Sequence, residues 1–270
     1  MKLVSIKIYI VMAIGLGVLG GCSSTPKIAE ISIVTDQAIT PEVLSTEKYL
    51  PFIQVNEETG KRLPYASKQN PYLKEKGQLD KNIVVQFIEA RRAIKLKKFV
   101  QAEKILLSIS EQNTQLSGPV VLLGDIAKLK QQTKAAIKYY AQAISVNSNN
   151  VNAYIKLAKM QRESGLFKHA QNTYAKALSK WSDFPEAHLN LSILYDVYLN
   201  QPEIAQKHME AYQLLAKQKH AKVDSWLKDI RQRTNQANYI EQDAQQKEQV
   251  ILARLAAEQA ENSQDKKGDS

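Results

Sequence analysis

The chain has 270 residues and one cysteine, Cys22. A lone thiol closes no intrachain disulfide, and it excludes a cysteine-built metal site. Glycine is scarce, at 10 residues. None of the glycines forms a phosphate-cradling run or a Gly-x-Ser-x-Gly nucleophile motif. His169, His188, His208 and His220 have no metal-pair spacing such as His-x-x-x-His. No catalytic residue, metal or cofactor is expected. Long apolar runs are also missing. "IYIVMAIGLGVL", residues 8–19, falls short of the roughly 20 residues that a membrane-crossing helix needs. Acidic residues are the minority charge, 27 against 37 Lys and Arg, which leaves a formal net charge of +10. Such a surface suits acidic proteins, anionic lipid or polysaccharide, and nucleic acid. Proline is unevenly spent. Pro26, Pro41, Pro51, Pro64 and Pro71 fall between 23 and 72, and none occurs from Tyr72 to Gly118. Proline removes backbone donors and restricts the preceding residue, so the first stretch is expected to be irregular and the second free to be helical.

What is present begins at the start. "MKLVSIK" carries Lys2 and Lys7 and no acid, the apolar run follows, and Gly20 and Gly21 precede Cys22. This is the layout of a secretory signal peptide, 1–21. "LGGC" resembles the bacterial lipobox. The resemblance implies cleavage before Cys22, a diacylglycerol on its sulfur and a fatty acid on its new amino terminus. Several acyl chains hold a membrane firmly where one does not. Ser23 and Ser24 follow, with no aspartate at the second mature position. By analogy with enterobacterial lipoproteins, that implies an outer-membrane protein facing the periplasm. Export makes nucleic acid an unsuitable partner. Residues 22–82 are expected to be a lipidated linker, mostly irregular, with "EISIVTDQ" able to form a strand only beside a partner.

From Ile83 the chain repeats. Blocks of 34 residues cover 83–116, 117–150 and 151–184, and a fourth, 185–219, is one residue longer. Their eighth positions are Ala90, Gly124, Ala158 and Ser192, all small. Their twentieth positions are Ala102, Ala136, Ala170 and, after the extra residue, Ala205. Large residues recur at the twenty-fourth: Leu106, Tyr140, Tyr174 and Met209. Leu123, Leu157 and Leu191 hold the seventh, and Gly165 sits where the third block must turn. The pattern resembles the tetratricopeptide repeat, a helix–turn–helix unit of this length. The resemblance implies an all-α solenoid in which small residues let the two helices of each hairpin cross closely. The first block fits least well, with Glu89 at position 7 and Ala93 at position 11. Pro202 stands near the start of the fourth block's second helix, as a first-turn proline should.

A repeat array needs a cap. Val223, Trp226, Leu227 and Ile230 mark one apolar face of a capping helix over 220–233. Ile240, Ala244, Ile251 and Leu255 give residues 234–270 a thin stripe, read as a solvated helix to about Glu261 and then a disordered end. Tyr195 and His188 read as packed core. Asp183, Glu186 and Asp196 read as capping and solvated acids.

In tetratricopeptide proteins the first helices line a concave groove, mainly through positions 2, 5, 9, 12 and 13. The resemblance assigns that groove to Phe87, Arg91, Ile94 and Lys95; to Val121, Asp125 and Lys128; to Asn152, Ile155, Lys159 and Arg162; and to Glu186, Leu189, Ile193 and Asp196. It departs from the chaperone-tail clamp, which needs Lys and Asn where Phe87 and Arg91 stand. The expected function is that of a membrane-anchored periplasmic scaffold joining envelope proteins into a complex, for pilus, secretion, outer-membrane or energy-transducing machinery. The rival is a peptidoglycan-directed enzyme or its activator, with its chemistry in residues 23–82.

Overall fold

The computed structural model describes residues 41–74, 79–218 and 220–268. The signal peptide, Cys22 and the short strand expected in "EISIVTDQ" lie outside them. Eleven helices occur among the described residues: α1 (Pro71–Lys74), α2 (Lys81–Lys95), α3 (Phe99–Gln112), α4 (Ser117–Leu129), α5 (Thr133–Val146), α6 (Val151–Glu163), α7 (Phe167–Lys180), α8 (Pro185–Ile193), α9 (Pro202–Leu215), α10 (Ala221–Thr234) and α11 (Tyr239–Gly268). The pairs α2–α3, α4–α5, α6–α7 and α8–α9 are antiparallel hairpins stacked in sequence, and α10 packs on α9. The architecture is the all-α tetratricopeptide solenoid that the repeats imply.

The hairpins close because their crossing residues are small. Ala90, Ala102, Ala136, Ala158, Ala170 and Ala205 are completely buried. At Gly124 a Cβ would sit 2.5 Å from the ring of Tyr140, so no larger residue fits opposite that tyrosine. Each turn ends its first helix in the same way. Lys97, Gln131, Gly165 and Asn200 all have positive φ. The following amide reaches back to close a Schellman motif: Lys98 N to Ala93 O at 2.9 Å, Gln132 N to Ala127 O at 2.8 Å and Leu166 N to Gln161 O at 2.8 Å. Only the third hairpin uses the residue to which left-handed backbone comes without strain.

The extra residue of the fourth repeat is absorbed inside its first helix. Residues Leu194–Tyr198 form a π-helical turn, closed by Leu199 N donating to Leu194 O at 3.0 Å. Such a turn adds one residue to a helix without ending it. It leaves Tyr198 against Phe167, with ring centroids 5.0 Å apart.

Residues 41–70 are mostly irregular, as their prolines require, with one 3-10 turn at Glu47–Tyr49 and one bridge between Val55 and Arg62, and they dock on the repeats as a strap. The Leu44 amide donates to Asn172 Oδ1 at 2.8 Å, and the Asn172 amide donates to Glu42 O at 2.7 Å. The Tyr65 hydroxyl and the Lys68 amide donate to Asp183 at 2.9 and 2.6 Å, and Trp181 Nε1 donates to Lys68 O at 2.7 Å. Arg62 pairs with Glu241 and Glu248 of α11 at 2.6 and 2.9 Å. The tail is therefore not simply solvated. Ile240, Ala244 and Ile251 of α11 are buried.

At the centre of the docking lies a buried polar chain. His188 Nε2 is 2.8 Å from Ser182 O, His188 Nδ1 is 2.9 Å from His208 Nδ1, His208 Nε2 is 2.8 Å from Thr46 Oγ1, and Thr46 Oγ1 is 2.8 Å from the Tyr195 hydroxyl. One proton arrangement satisfies every link. A carbonyl only accepts, so His188 must carry its proton on Nε2 and present a bare Nδ1. His208 then donates from Nδ1 and accepts the Thr46 hydroxyl at Nε2, and Thr46 accepts from Tyr195. Both imidazoles are neutral in this arrangement; an added proton would reverse every donor from His188 Nδ1 onward and leave the Tyr195 hydroxyl proton with no acceptor in the chain. Burial drives the His188 pKa down to about 4, against smaller upward pulls from Ser182 O and the Asp183 charge. The His208 pKa falls well below its ordinary value through burial, with His188 and Lys207 adding to the fall.

The sign of the pH dependence follows. Above about pH 6.5 both histidines are neutral, folded or unfolded, and this stability is fully present. Below it the unfolded chain takes up protons that the folded chain refuses. Stability should fall by roughly 1.4 kcal/mol per pH unit for each histidine until the folded pKa is reached. Urea unfolding at pH 7.5, 6.0 and 5.0 should show this decline, and His188→Phe with His208→Phe should flatten it.

Candidate functional site

The first helices of the hairpins line a concavity of about 690 Å³. Phe87, Arg91 and Ile94 come from α2; Val121, Asp125 and Lys128 from α4; Asn152, Ile155 and Lys159 from α6; and Glu186 from α8. These ten assigned residues are brought together because positions one or two turns apart on successive parallel helices face the same way. A second concavity of the same volume lies between the strap and α11, lined by Phe52, Leu63, Lys247 and Arg254 among others. Its charges are balanced, Glu57 and Asp243 against Lys247 and Arg254, whereas the groove's lining holds four basic and two acidic residues.

The other five assigned residues lie outside that lining. Lys95 is exposed in the last turn of α2. Leu189 packs against the core cluster of the third and fourth repeats, and Ile193 is half-buried. Arg162 sits one turn beyond Lys159, its guanidinium 5.7 Å from the centroid of the Tyr198 ring. Asp196 is a cap anchor and not a groove residue. Its carboxylate accepts Trp226 Nε1 of α10 at 2.7 Å and Arg233 Nη2 at 2.7 Å. The π-turn alters the register of the fourth helix after Ile193, so a position counted from the helix start no longer predicts the direction of Asp196.

The sequence reading missed several lining residues. Tyr140 and Lys156 belong to the lining, as do Asn150, Gly118 and Phe184. Lys156 carried a usable signal, lying one residue after Ile155 on a first helix. Tyr72 carried none, because it enters from α1, outside the repeats. Its hydroxyl lies 4.0 Å from the place a Cβ would occupy on Gly118.

The groove's charges are partly spent on one another. Lys156 Nζ pairs with Asp125 Oδ1 at 2.7 Å, and Lys128 pairs with Glu163 at 3.5 Å. The Tyr140 hydroxyl donates to the same Asp125 oxygen at 2.8 Å. Burial first, then the Asp125 charge and hydrogen bond, push the Tyr140 pKa far up. The Lys159 pKa is lowered, first by burial and then by repulsion from Arg162, Lys128 and Lys156. Asp125 thus holds a tyrosine and a lysine at once. Asp125→Ala should cost about 1–3 kcal/mol, since both donors lose their acceptor, and Asp125→Ala in a Tyr140→Phe background should cost less. Thermal unfolding of the four proteins in that cycle measures the difference.

No family model matches the chain, and no curated protein matches it. Solved structures do. A MamA fragment from Desulfovibrio magneticus RS-1 is 14% identical, covering 67% of this chain and 99% of its own, with a TM-score of 0.47. TTC0263, a thermophilic TPR protein of Thermus thermophilus, is 18% identical, covering 58% of this chain and 84% of its own, with a TM-score of 0.46. YrrB, described as a TPR protein with an unusual peptide-binding site, is 16% identical, covering 54% of this chain and 74% of its own, with a TM-score of 0.44. With four stacked hairpins, small residues at each crossing and a left-handed turn in each, the chain has the tetratricopeptide-repeat solenoid fold.

Proposed function

We propose that the protein is a non-enzymatic scaffold, anchored to the outer membrane through Cys22, that holds an extended segment of a periplasmic partner in its groove. The observation that carries the reading is the groove itself. Three successive first helices, and the start of a fourth, present side chains to one surface, where Arg91, Lys128 and Lys159 lie beside the apolar Phe87, Val121 and Ile155. Apolar floor and charged rim together suit a polypeptide: the floor contributes burial, and the charges set partner choice and association rate. The lipobox-like "LGGC" supports the anchor, and the signal-peptide layout supports export. No described helix is long and apolar enough to cross a membrane. The strap's docking on the second-helix side leaves the first-helix side to a partner. The scaffold then gathers envelope proteins at the membrane to which Cys22 ties it.

The test has two arms. Photo-crosslinking residues placed at Phe87 or Asn152 in the native envelope should yield a discrete protein adduct, and one at Lys138 on α5 should not. Arg91→Glu should reduce the adduct by about tenfold at low salt and by less at high salt, because the attraction is screened. Labelled palmitate should enter the wild-type chain and not Cys22→Ser. Equal adducts from both faces would sink the groove reading, and equal labelling would sink the anchor.

A further inference from the structure

The second helices carry their charge differently from the first. α5, "TKAAIKYYAQAISV", and α7, "FKHAQNTYAKALSK", hold five lysines between them and no acid. On the first helices α4 and α6, Asp125 and Glu163 stand among the basic residues. Lys134 and Lys138 are four residues apart on α5, and Lys168, Asn172, Lys176 and Lys180 follow at the same interval on α7. That interval runs along one face of a helix, a turn at a time. All five lysines are exposed. Among the described residues none of the five has an ion-pair partner, whereas Lys128, Lys156 and Lys207 on other helices do.

The strap joins this face at the one polar, uncharged place in the α7 row. Asn172 accepts the Leu44 amide at 2.8 Å and donates to Glu42 O at 2.7 Å. The described strap starts at residue 41, so the connection back to Cys22 begins among these lysines. Glu42 is the acid that the strap adds there. Residues 23–40 separate Cys22 from the strap, and a chain of that length spans at most about 60 Å.

We propose that the lysine face of α5 and α7 lies against the membrane to which Cys22 is tied and binds the phosphates of its anionic lipids. Each lysine close to an anionic surface strengthens binding about fivefold, and the attraction fades beyond a Debye length, roughly 10 Å at 0.1 M salt. The tether supplies the closeness, and the lysines decide which side turns to the lipid. The groove, lined by the first helices, is then left open to a partner. The proposal rests on the lipid at Cys22 for its choice of a membrane over other anionic surfaces.

The test uses the mature chain, residues 22–270, with Cys22→Ser, so that the face must act without the lipid. The probes are vesicles of phosphatidylcholine alone and of phosphatidylcholine with about one-third phosphatidylglycerol, read by co-sedimentation. The anionic vesicles should bind at least about tenfold more tightly, and high salt should remove most of that preference. Lys134→Glu, Lys138→Glu and Lys168→Glu together should abolish it. The matched reversal of Arg92, Lys222 and Lys228, exposed on α2 and α10, should keep most of it, with circular dichroism confirming both folds. Once Cys22 is replaced the chain has no other cysteine, so a single fluorophore can be placed by substitution. A nitroxide on the lipid headgroup should quench it at Gln142→Cys on α5 and not at Asn152→Cys in the groove.

The proposal is overturned if the two vesicles bind equally or not at all, if both triple reversals lose binding alike, or if quenching is the same at both positions. Binding to soluble poly-glutamate without binding to vesicles would give the face to an acidic polymer and overturn it too. Palmitate labelling of the wild-type chain reads the anchor separately. Labelling without a vesicle preference would leave the anchor standing while the lipid-binding face falls.

Discussion

Two helices can approach closely only where neither carries bulk at the crossing. That constraint is repeated four times here, and the rest of the molecule depends on it. Ala158 and Ala170 bring α6 onto α7, and only at that separation do Tyr174 and Leu178 reach across to seal the core they share with Ala187 and Leu191 of the next hairpin. A lone hairpin would leave one face of this core in water, so each repeat is stabilised chiefly by its neighbours. The groove follows from the same packing. Successive first helices lie side by side, and what one repeat presents at a given position the next presents beside it.

The scaffold was legible in the sequence because its constraints are local and periodic. Small residues at fixed spacing report a close crossing, and Gly165 reports a left-handed turn. Lys97, Gln131 and Asn200 occupy the equivalent turns without announcing it, since tertiary packing holds them where propensity would not. The first repeat illustrates the other limit. Glu89 and Ala93 weaken its pattern, yet Ala90 and Ala93 are buried and Ile88 is 62% exposed, so the small residues identify the packed face better than the large ones do. The groove was legible through α6, where register and helix agree, and failed at Asp196, where a π-turn intervenes.

What the sequence could not disclose are the long-range meetings. His188 and His208 are too far apart in the chain to read as a pair, and a packed histidine looks the same in sequence whether its partner is a methyl group or another imidazole. Thr46 stands in a proline-rich stretch with no periodicity to show where it docks. The Tyr174 hydroxyl, unpaired among the described residues, was also hidden. Lys159 looked like one more cation on a basic face, and its contrast with Asp125 emerges only once Tyr140 and Tyr174 are seen to be equivalent. Repeats make such comparisons possible, because each hairpin is an internal control for the next.

The strap has a consequence for the order in which the molecule assembles. Thr46 meets His208 across 162 residues, and Arg254 meets the Glu57 carbonyl across 197. During synthesis the strap is made before any of the surfaces it covers. Hairpins complete themselves from neighbouring sequence, but the strap must wait for α9 and α11, which emerge last however the chain is delivered. Throughout that interval its apolar side chains, Tyr49 and Pro51 among them, are without their final surroundings. Its prolines keep it from joining a helix or a sheet in the meantime, so the composition that withholds regular structure from this segment also keeps it available until the far end of the chain arrives.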